Sequence, residues 1–257
     1  MSPDRIVSLC PSITATLVEI GAAERLVAAT RYCTRPRGVL RGLARVGGTK
    51  DPDVGAIVAL RPDLVLANEE ENRLEDVEKL RAAGVAVDVT FPRRVRDVPG
   101  DVRKWGRRLE GESEARAEAL AARIEQEHRA LEAEPPSATF RYAYWIWMDP
   151  WMTVSDDTYV ADLLRLAGGV NVFGADAERY PTGSPQESLA RGAEVLFFPD
   201  EPYAFRRARH EDLMARIFGL SRKRLFVPGD DLCWHGFRTI EGLRRVREMR
   251  AQLAPGG

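Results

Sequence analysis

A few short stretches of this 257-residue chain gather the side chains that could do chemistry. They are Cys10-Pro11-Ser12, Arg31-Tyr32-Cys33, Asn68-Glu69-Glu70-Glu71, Phe91-Pro92-Arg93-Arg94, Trp147 to Trp151, Glu201-Pro202-Tyr203 and Asp230 to His235. The segment RYAYWIWMDPWMTV, from Arg141 to Val154, holds most of the chain's 5 tryptophans, and Asp149-Pro150 breaks it in the middle. Aromatic rings beside loop signals suit a large flat ligand held by stacking, with a few charges fixing its orientation. Tyr32, Trp147, Trp151 and Trp234 are therefore the expected stacking residues. Lys50, Glu69, Glu70 and Arg238 are expected at the ligand's polar edge, with Pro11, Cys33, Tyr203 and His235 completing the set. Tyr144 and Trp145 lie inside an apolar run and are expected in the core.

Thiolate and imidazole suit soft or borderline ions, so Cys10, Cys33 and His235 form a second, alternative set: the ligands of a metal-ion receptor or a metal-dependent enzyme. Their spacing matches no metal-binding motif, and small buried hydrophobes is the plain reading of the two cysteines. Of the other histidines, His128 sits in the middle of a helical stretch and His210 opens what reads as a surface helix. The carboxylates Asp156-Asp157, Asp230-Asp231 and Glu69-Glu70-Glu71 come with no nucleophile elbow, dinucleotide fingerprint, phosphate loop or His-Glu-x-x-His. A non-enzymatic binder that requires no cofactor is expected.

A net charge of −1 exerts no general pull toward nucleic acid or an anionic membrane, and the basic runs Arg206 to Arg209 and Arg222 to Arg224 read as solvated surface. No window approaches the roughly 18 continuous apolar residues of a membrane helix. The 3 cysteines have no Cys-x-x-Cys spacing, which argues against a disulfide framework and fits reduced thiols. The chain enters a strand almost at once, so a native start at Met1 predicts a cytoplasmic protein; a chain whose leader had been removed would read the same and be extracytoplasmic.

The elements that must position these groups alternate. Apolar runs at 5–9, 26–30, 63–67 and 85–89 are separated by capped or amphipathic segments, which predicts parallel α/β packing. Ser12 is the expected cap of a helix over 13–20 stopped by Gly21, and Asp51-Pro52 the expected start of a helix over 52–60. From 112 to 134 an Ala/Glu/Arg-rich stretch carries one narrow apolar stripe and reads as a single helix of about 35 Å, ended by Pro135-Pro136. A second alternation follows, with strands at 139–147, 194–198 and 224–227 and helices near 158–167, 185–191 and 237–253. The expected organisation is an amino-terminal α/β lobe (1–110), a linking helix (111–136) and a carboxy-terminal α/β lobe (137–257), with the loops after the strands lining a shared ligand cleft between the two lobes.

The stretches RIVSLCPSITATLVEIG, RVGGTKDPDVGAIVALRPDLVLANEEENRLEDVEKLRAAGV, IWMDPWMTVSDDTYVADLLRLAGGVNVF and DLCWHGFRTIEGL together resemble the helical-backbone metal receptor superfamily, the substrate-binding proteins of uptake systems for cobalamin, iron-siderophore complexes and haem. The likeness spans nearly the whole chain and is nearest to a leaderless, cobalamin-type branch. It implies two Rossmann-like lobes with mainly parallel sheets, bridged by one rigid helix, and a metal chelate such as cobalamin as ligand. It also implies an ABC permease as partner, docked through a glutamate on each lobe. Here those positions read Gly55 and Gln186, with Asp53 and Glu187 only nearby.

Overall fold

The computed structural model describes residues 2–253. Met1 and residues 254–257, the two ends of the lobes expected from the sequence, lie outside the described residues. In chain order the elements begin with β1 (Ile6–Ser8), α1 (Pro11–Glu19), β2 (Leu26–Ala29), β3 (Ala44–Arg45), α2 (Val54–Ala59), β4 (Leu64–Asn68), α3 (Leu74–Ala82), β5 (Val87–Thr90), α4 (Val98–Leu109) and α5 (Gly111–Ala133). They continue with β6 (Phe140–Tyr144), α6 (Tyr159–Leu166), β7 (Gly169–Asn171), α7 (Pro185–Ala190), β8 (Val195–Pro199), α8 (Arg207–Phe218), β9 (Lys223–Val227), α9 (Gly229–Cys233) and α10 (Thr239–Leu253). Two sheets form, ordered β3-β2-β1-β4-β5 and β7-β6-β8-β9, and every strand pair in both is parallel.

The chain divides into two compact units. Unit 1 comprises residues up to Pro92, Arg96–Glu125 and His235–Arg238; unit 2 comprises Arg93–Val95, Gln126–Trp234 and the residues from Thr239 onward. The unbroken helix α5 carries the chain from one to the other, the division falling between Glu125 and Gln126. Helices cover parallel strands on both faces, so the central strands read as continuous apolar runs. Accordingly Ile6, Val7, Val65, Leu66 and Ala67 in unit 1, and Leu196, Phe197 and Phe198 in unit 2, are all but fully buried.

Local chemistry sets the helix starts. α1 begins at Pro11, whose missing N–H costs nothing in the first turn, and its cap residue Cys10 makes no side-chain cap bond. The expectation that Ser12 caps this helix is corrected: Ser12 lies within the first turn and its hydroxyl is turned to Cys10 and His235. Gly21 ends the helix at φ +81°. The cap of α2 is Asp53, which accepts from the Ala56 N–H at 2.9 Å; Asp51, the residue expected there, is paired with Arg31 instead. Thr158 and Ser184 cap α6 and α7 in the same way.

α4 is masked in the sequence by its charge, yet its buried residues Val98, Val102, Trp105 and Leu109 fall at helical spacing. Gly106 lets α5 approach: a Cβ there would stand 2.5 Å from that of Ala117. α8 opens on the surface, with Arg207 to Arg209 exposed, and turns inward at the next residue. His210 is buried and its Nδ1 accepts the Arg206 N–H at 2.9 Å, which caps the helix from inside.

Candidate ligand-binding site

In unit 1 the groups after β1 and β3 and at the ends of β4 and β5 are stitched together by two asparagines of the NEEEN stretch, four residues apart. Asn72 Nδ2 donates to the carbonyls of Leu9 (3.1 Å) and Thr49 (2.9 Å), while its Oδ1 accepts the Asn68 N–H at 2.8 Å. Asn68 Oδ1 accepts the backbone N–H groups of Glu70 and Glu71, at 2.9 and 3.2 Å. Its Nδ2 donates to the Thr90 carbonyl at 3.1 Å and to His235 Nε2 at 3.2 Å. Both amide orientations are therefore dictated by backbone partners. All of Asn68, Asn72, Thr90 and His235 are buried.

Exposed groups sit on this scaffold. Tyr32 is 52% exposed, with the Arg31 guanidinium 5.0 Å from its ring centroid and Arg31 Nη2 3.5 Å from its hydroxyl. Asp51 holds Arg31 through both carboxylate oxygens at 3.1 Å. Lys50 is exposed and donates to the Glu70 carbonyl; Glu69 is exposed and Glu70 half-buried. Pro11 is half-buried at the start of α1, and Arg238 is half-buried in the turn before α10.

Cys33 is fully buried, its sulfur hydrogen-bonded to the hydroxyls of Thr14 (3.1 Å) and Thr30 (3.2 Å). Cys10 lies 3.2 Å from Ser12 Oγ, which in turn is 3.4 Å from His235 Nε2. Burial pushes both thiols up from the ordinary range and pushes His235 down to about 4. Among the described residues no three His, Cys, Asp or Glu side chains converge to hold an ion, and each of these three is taken up by hydroxyls or an amide.

In unit 2 the aromatic segment divides its labour. β6 ends at Tyr144, earlier than the expected 147. Tyr144 and Trp145 are fully buried, as expected of core residues. Trp147 is 40% exposed and meets Tyr203 edge-on at 5.5 Å. Trp151, expected at an edge, is half-buried and spends its ring on the core, 5.1 Å from Trp145 and 5.7 Å from Phe218 in T-shaped contacts. Trp234 is half-buried just after α9, where Asp230 and Asp231, expected on a loop, are instead buried helical residues. Ser12 and Asn68 lay within the stretches expected to do chemistry but were given no contact role, and Asn72 and Thr90 were missed; the four-residue spacing of the asparagines was the available signal.

The positions expected to face a permease are exposed in both units, Gly55 in α2 and Gln186 in α7. Beside them Asp53 is committed to its cap, and Glu187 pairs with Arg191 at 2.6 Å.

Comparison with known proteins agrees with this architecture. Residues 6–216 match the family described as periplasmic binding protein. The vitamin B12-binding protein of Vibrio parahaemolyticus serotype O3:K6 is 28% identical over 197 residues, which is 76% of this chain and 70% of that one. The periplasmic vitamin B12 binding protein BtuF of Vibrio cholerae superposes with a TM-score of 0.83 at 21% identity, covering 99% of each chain. The periplasmic heme-binding protein RhuT from Roseiflexus sp. RS-1 gives 0.80 at 24%, covering 99% of this chain and 100% of that one, and both structures share its fold. With the family matched over most of its length and both parallel sheets in place, the chain belongs to the periplasmic binding protein family.

Proposed function

We propose that this protein is a non-enzymatic binder of a flat metal chelate, a corrinoid first, acting as the substrate-binding component of an uptake system. The observation that carries the reading is the pairing of family membership with aromatic rings the folded core does not use. Tyr32 and Trp147 are 52% and 40% exposed, whereas Tyr203, Trp151 and Trp234 are half-buried and Tyr142, Tyr144 and Trp145 are buried. We assign Tyr32, Lys50, Glu69, Glu70 and Arg238 on unit 1, and Trp147, Tyr203 and Trp234 on unit 2, to ligand contact; Cys33, Trp151 and His235 act behind them as support.

The relatives named for vitamin B12 and heme support a tetrapyrrole-like cargo, and the family's location supports an extracytoplasmic home. An ABC permease is the proposed partner. Gly55 and Gln186 offer it no carboxylate, so its docking would rest on contacts other than the expected glutamate pair. Titration of the purified protein with cobalamin, haem and ferric chelates, followed by tryptophan fluorescence, tests the reading. Saturable quenching by cobalamin is expected, and no saturable quenching by any of the three overturns it.

A further inference from the structure

In unit 2 the turn from α8 into the edge strand β9 presents one apolar side chain to water. α8 stops at Gly219, which adopts φ +85°, and Leu220 follows at 84% exposure, the highest of any large apolar side chain among the described residues. The turn is braced. Arg224, whose side chain is 12% exposed, donates from Nη1 to the carbonyls of Gly219 (2.9 Å) and Arg222 (3.0 Å), and from Nε to Glu211 of α8 (3.0 Å). Phe218 is the residue here that fills the core, so the fold holds Leu220 in place without burying it.

Cations surround this tip. Arg209 and Arg216 are exposed about two turns apart on α8, on the side away from its buried His210, Met214 and Phe218. Arg222 and Lys223 follow Leu220 directly. Glu211 is spent on Arg207 and Arg224, at 3.1 and 3.0 Å, and among the described residues no carboxylate lies within 4.0 Å of Arg209, Arg216, Arg222 or Lys223. Arg216 Nε and Lys223 Nζ donate instead to the backbone carbonyls of Asp212 (3.3 Å) and Gln252 (3.5 Å). Asp212 shares the outward side of α8, so cations outnumber acids on this surface by a wide margin.

We infer that this tip is a docking surface for an anionic lipid bilayer, with Leu220 entering the headgroup layer and Arg209, Arg216, Arg222 and Lys223 meeting lipid phosphates. A lone exposed leucine is ordinary on a protein surface, and so is a run of charge. Their combination on a braced turn is not, because an apolar point ringed by Arg and Lys matches an interface with negative charge outside and hydrocarbon beneath. A nucleic acid would meet the same cations but give Leu220 no role. The chain's net charge of −1 does not oppose docking, since charges beyond about 10 Å are screened and the membrane feels the local patch. The surface lies wholly within unit 2 and does not depend on which ligand the protein carries.

Co-sedimentation of the full chain with vesicles tests the inference, using phosphatidylcholine alone against equal parts of phosphatidylcholine and phosphatidylglycerol, at low salt and at about 0.15 M. Binding to the mixed vesicles alone, weakened by salt, is the expected result. Leu220→Ser should weaken that binding about tenfold. Arg222→Ala and Lys223→Ala should weaken it about fivefold each. All three variants should keep the wild-type urea midpoint, because none of these side chains is fully buried. No binding to the mixed vesicles, equal binding to both kinds, or wild-type binding by Leu220→Ser overturns the inference. Binding to a DNA duplex without binding to vesicles also overturns it, and assigns the cations to nucleic acid.

Discussion

Trp151 lies nearly flat on Phe205, with ring centroids 6.2 Å apart and planes 17° from parallel. An indole used in this way belongs to the core of unit 2, and Trp147, four residues earlier, does not. The two should separate on mutation. Trp151→Ala should cost about 2–4 kcal/mol of stability, at or below the usual range for a buried tryptophan because the ring is only half-buried. Trp147→Ala should cost under about 1 kcal/mol and yet weaken chelate binding at least about tenfold. Urea unfolding beside a fluorescence titration measures both, and equal stability losses would contradict this division.

The Arg31–Asp51 pair presents a different test. Both side chains are about half exposed, so the pair itself adds little stability, on the order of 1 kcal/mol or less. Gly48 leaves room for it: a Cβ there would stand 2.2 Å from Asp51 Oδ1 and 2.8 Å from Arg31 Nη2. Gly48→Ala should therefore push Arg31 away from Tyr32 and lower ligand affinity while shifting the melting temperature only slightly. A melting temperature that falls as far as for a core deletion would show that this turn is structural.

Asp53 and Ser184 are corresponding caps in the two units. Replacing either by alanine should cost about 1 kcal/mol, read as a lowered urea midpoint with an unchanged slope.

The thiols should report their surroundings. Cys10 and Cys33 are buried and held in the thiol form by that burial, whereas Cys233 is half-buried. A disulfide reagent at neutral pH should modify Cys233 first and reach the other two only after denaturation. Rapid reaction of all 3 cysteines in the folded protein would contradict the packing around Thr14.

Acid should act through two groups of opposite sign. His235, lowered to about 4 from 6.5, leaves the unfolded chain holding the extra proton between those values, so its contribution to stability falls as pH drops through that window. Asp101, raised by burial to about 6 from 3.8, keeps its proton longer in the folded protein, so its contribution falls as pH rises through its own window. Asp101→Asn should therefore make stability between pH 4 and 6 depend more steeply on pH than in the wild type, in the direction of acid lability. A parallel pair of curves would mean that Asp101 titrates normally.

Much of the fold was legible in the chain because its signals are local. The apolar runs became β1, β2, β4, β5, β6, β8 and β9 with ends shifted by a residue or a few, and the Ala/Glu/Arg stretch became α5. α4 escaped because its charged residues outnumber the apolar ones that give it a buried face. The site was legible only in part. Exposure of Tyr32 and Trp147 follows from loop position, but Trp151 has the same loop signals and the opposite fate, decided by Phe205 and Phe218, which are distant in sequence. The setting of His235 was hidden for a like reason. Its partners Ser12 and Asn68 precede it by 223 and 167 positions, and no spacing rule reaches so far.

The placement of His235–Arg238 in unit 1 bears on how the protein is made. A ribosome delivers the five strands of the first sheet by residue 90, but the histidine that meets Ser12 and Asn68 emerges only after every strand of the second sheet has been made. Until then the nascent unit keeps an unfilled place beside α1, and a fragment cut at Glu125 would keep it permanently. Completion of the early half thus waits on the late one, so synthesis order and folding order part company in this chain.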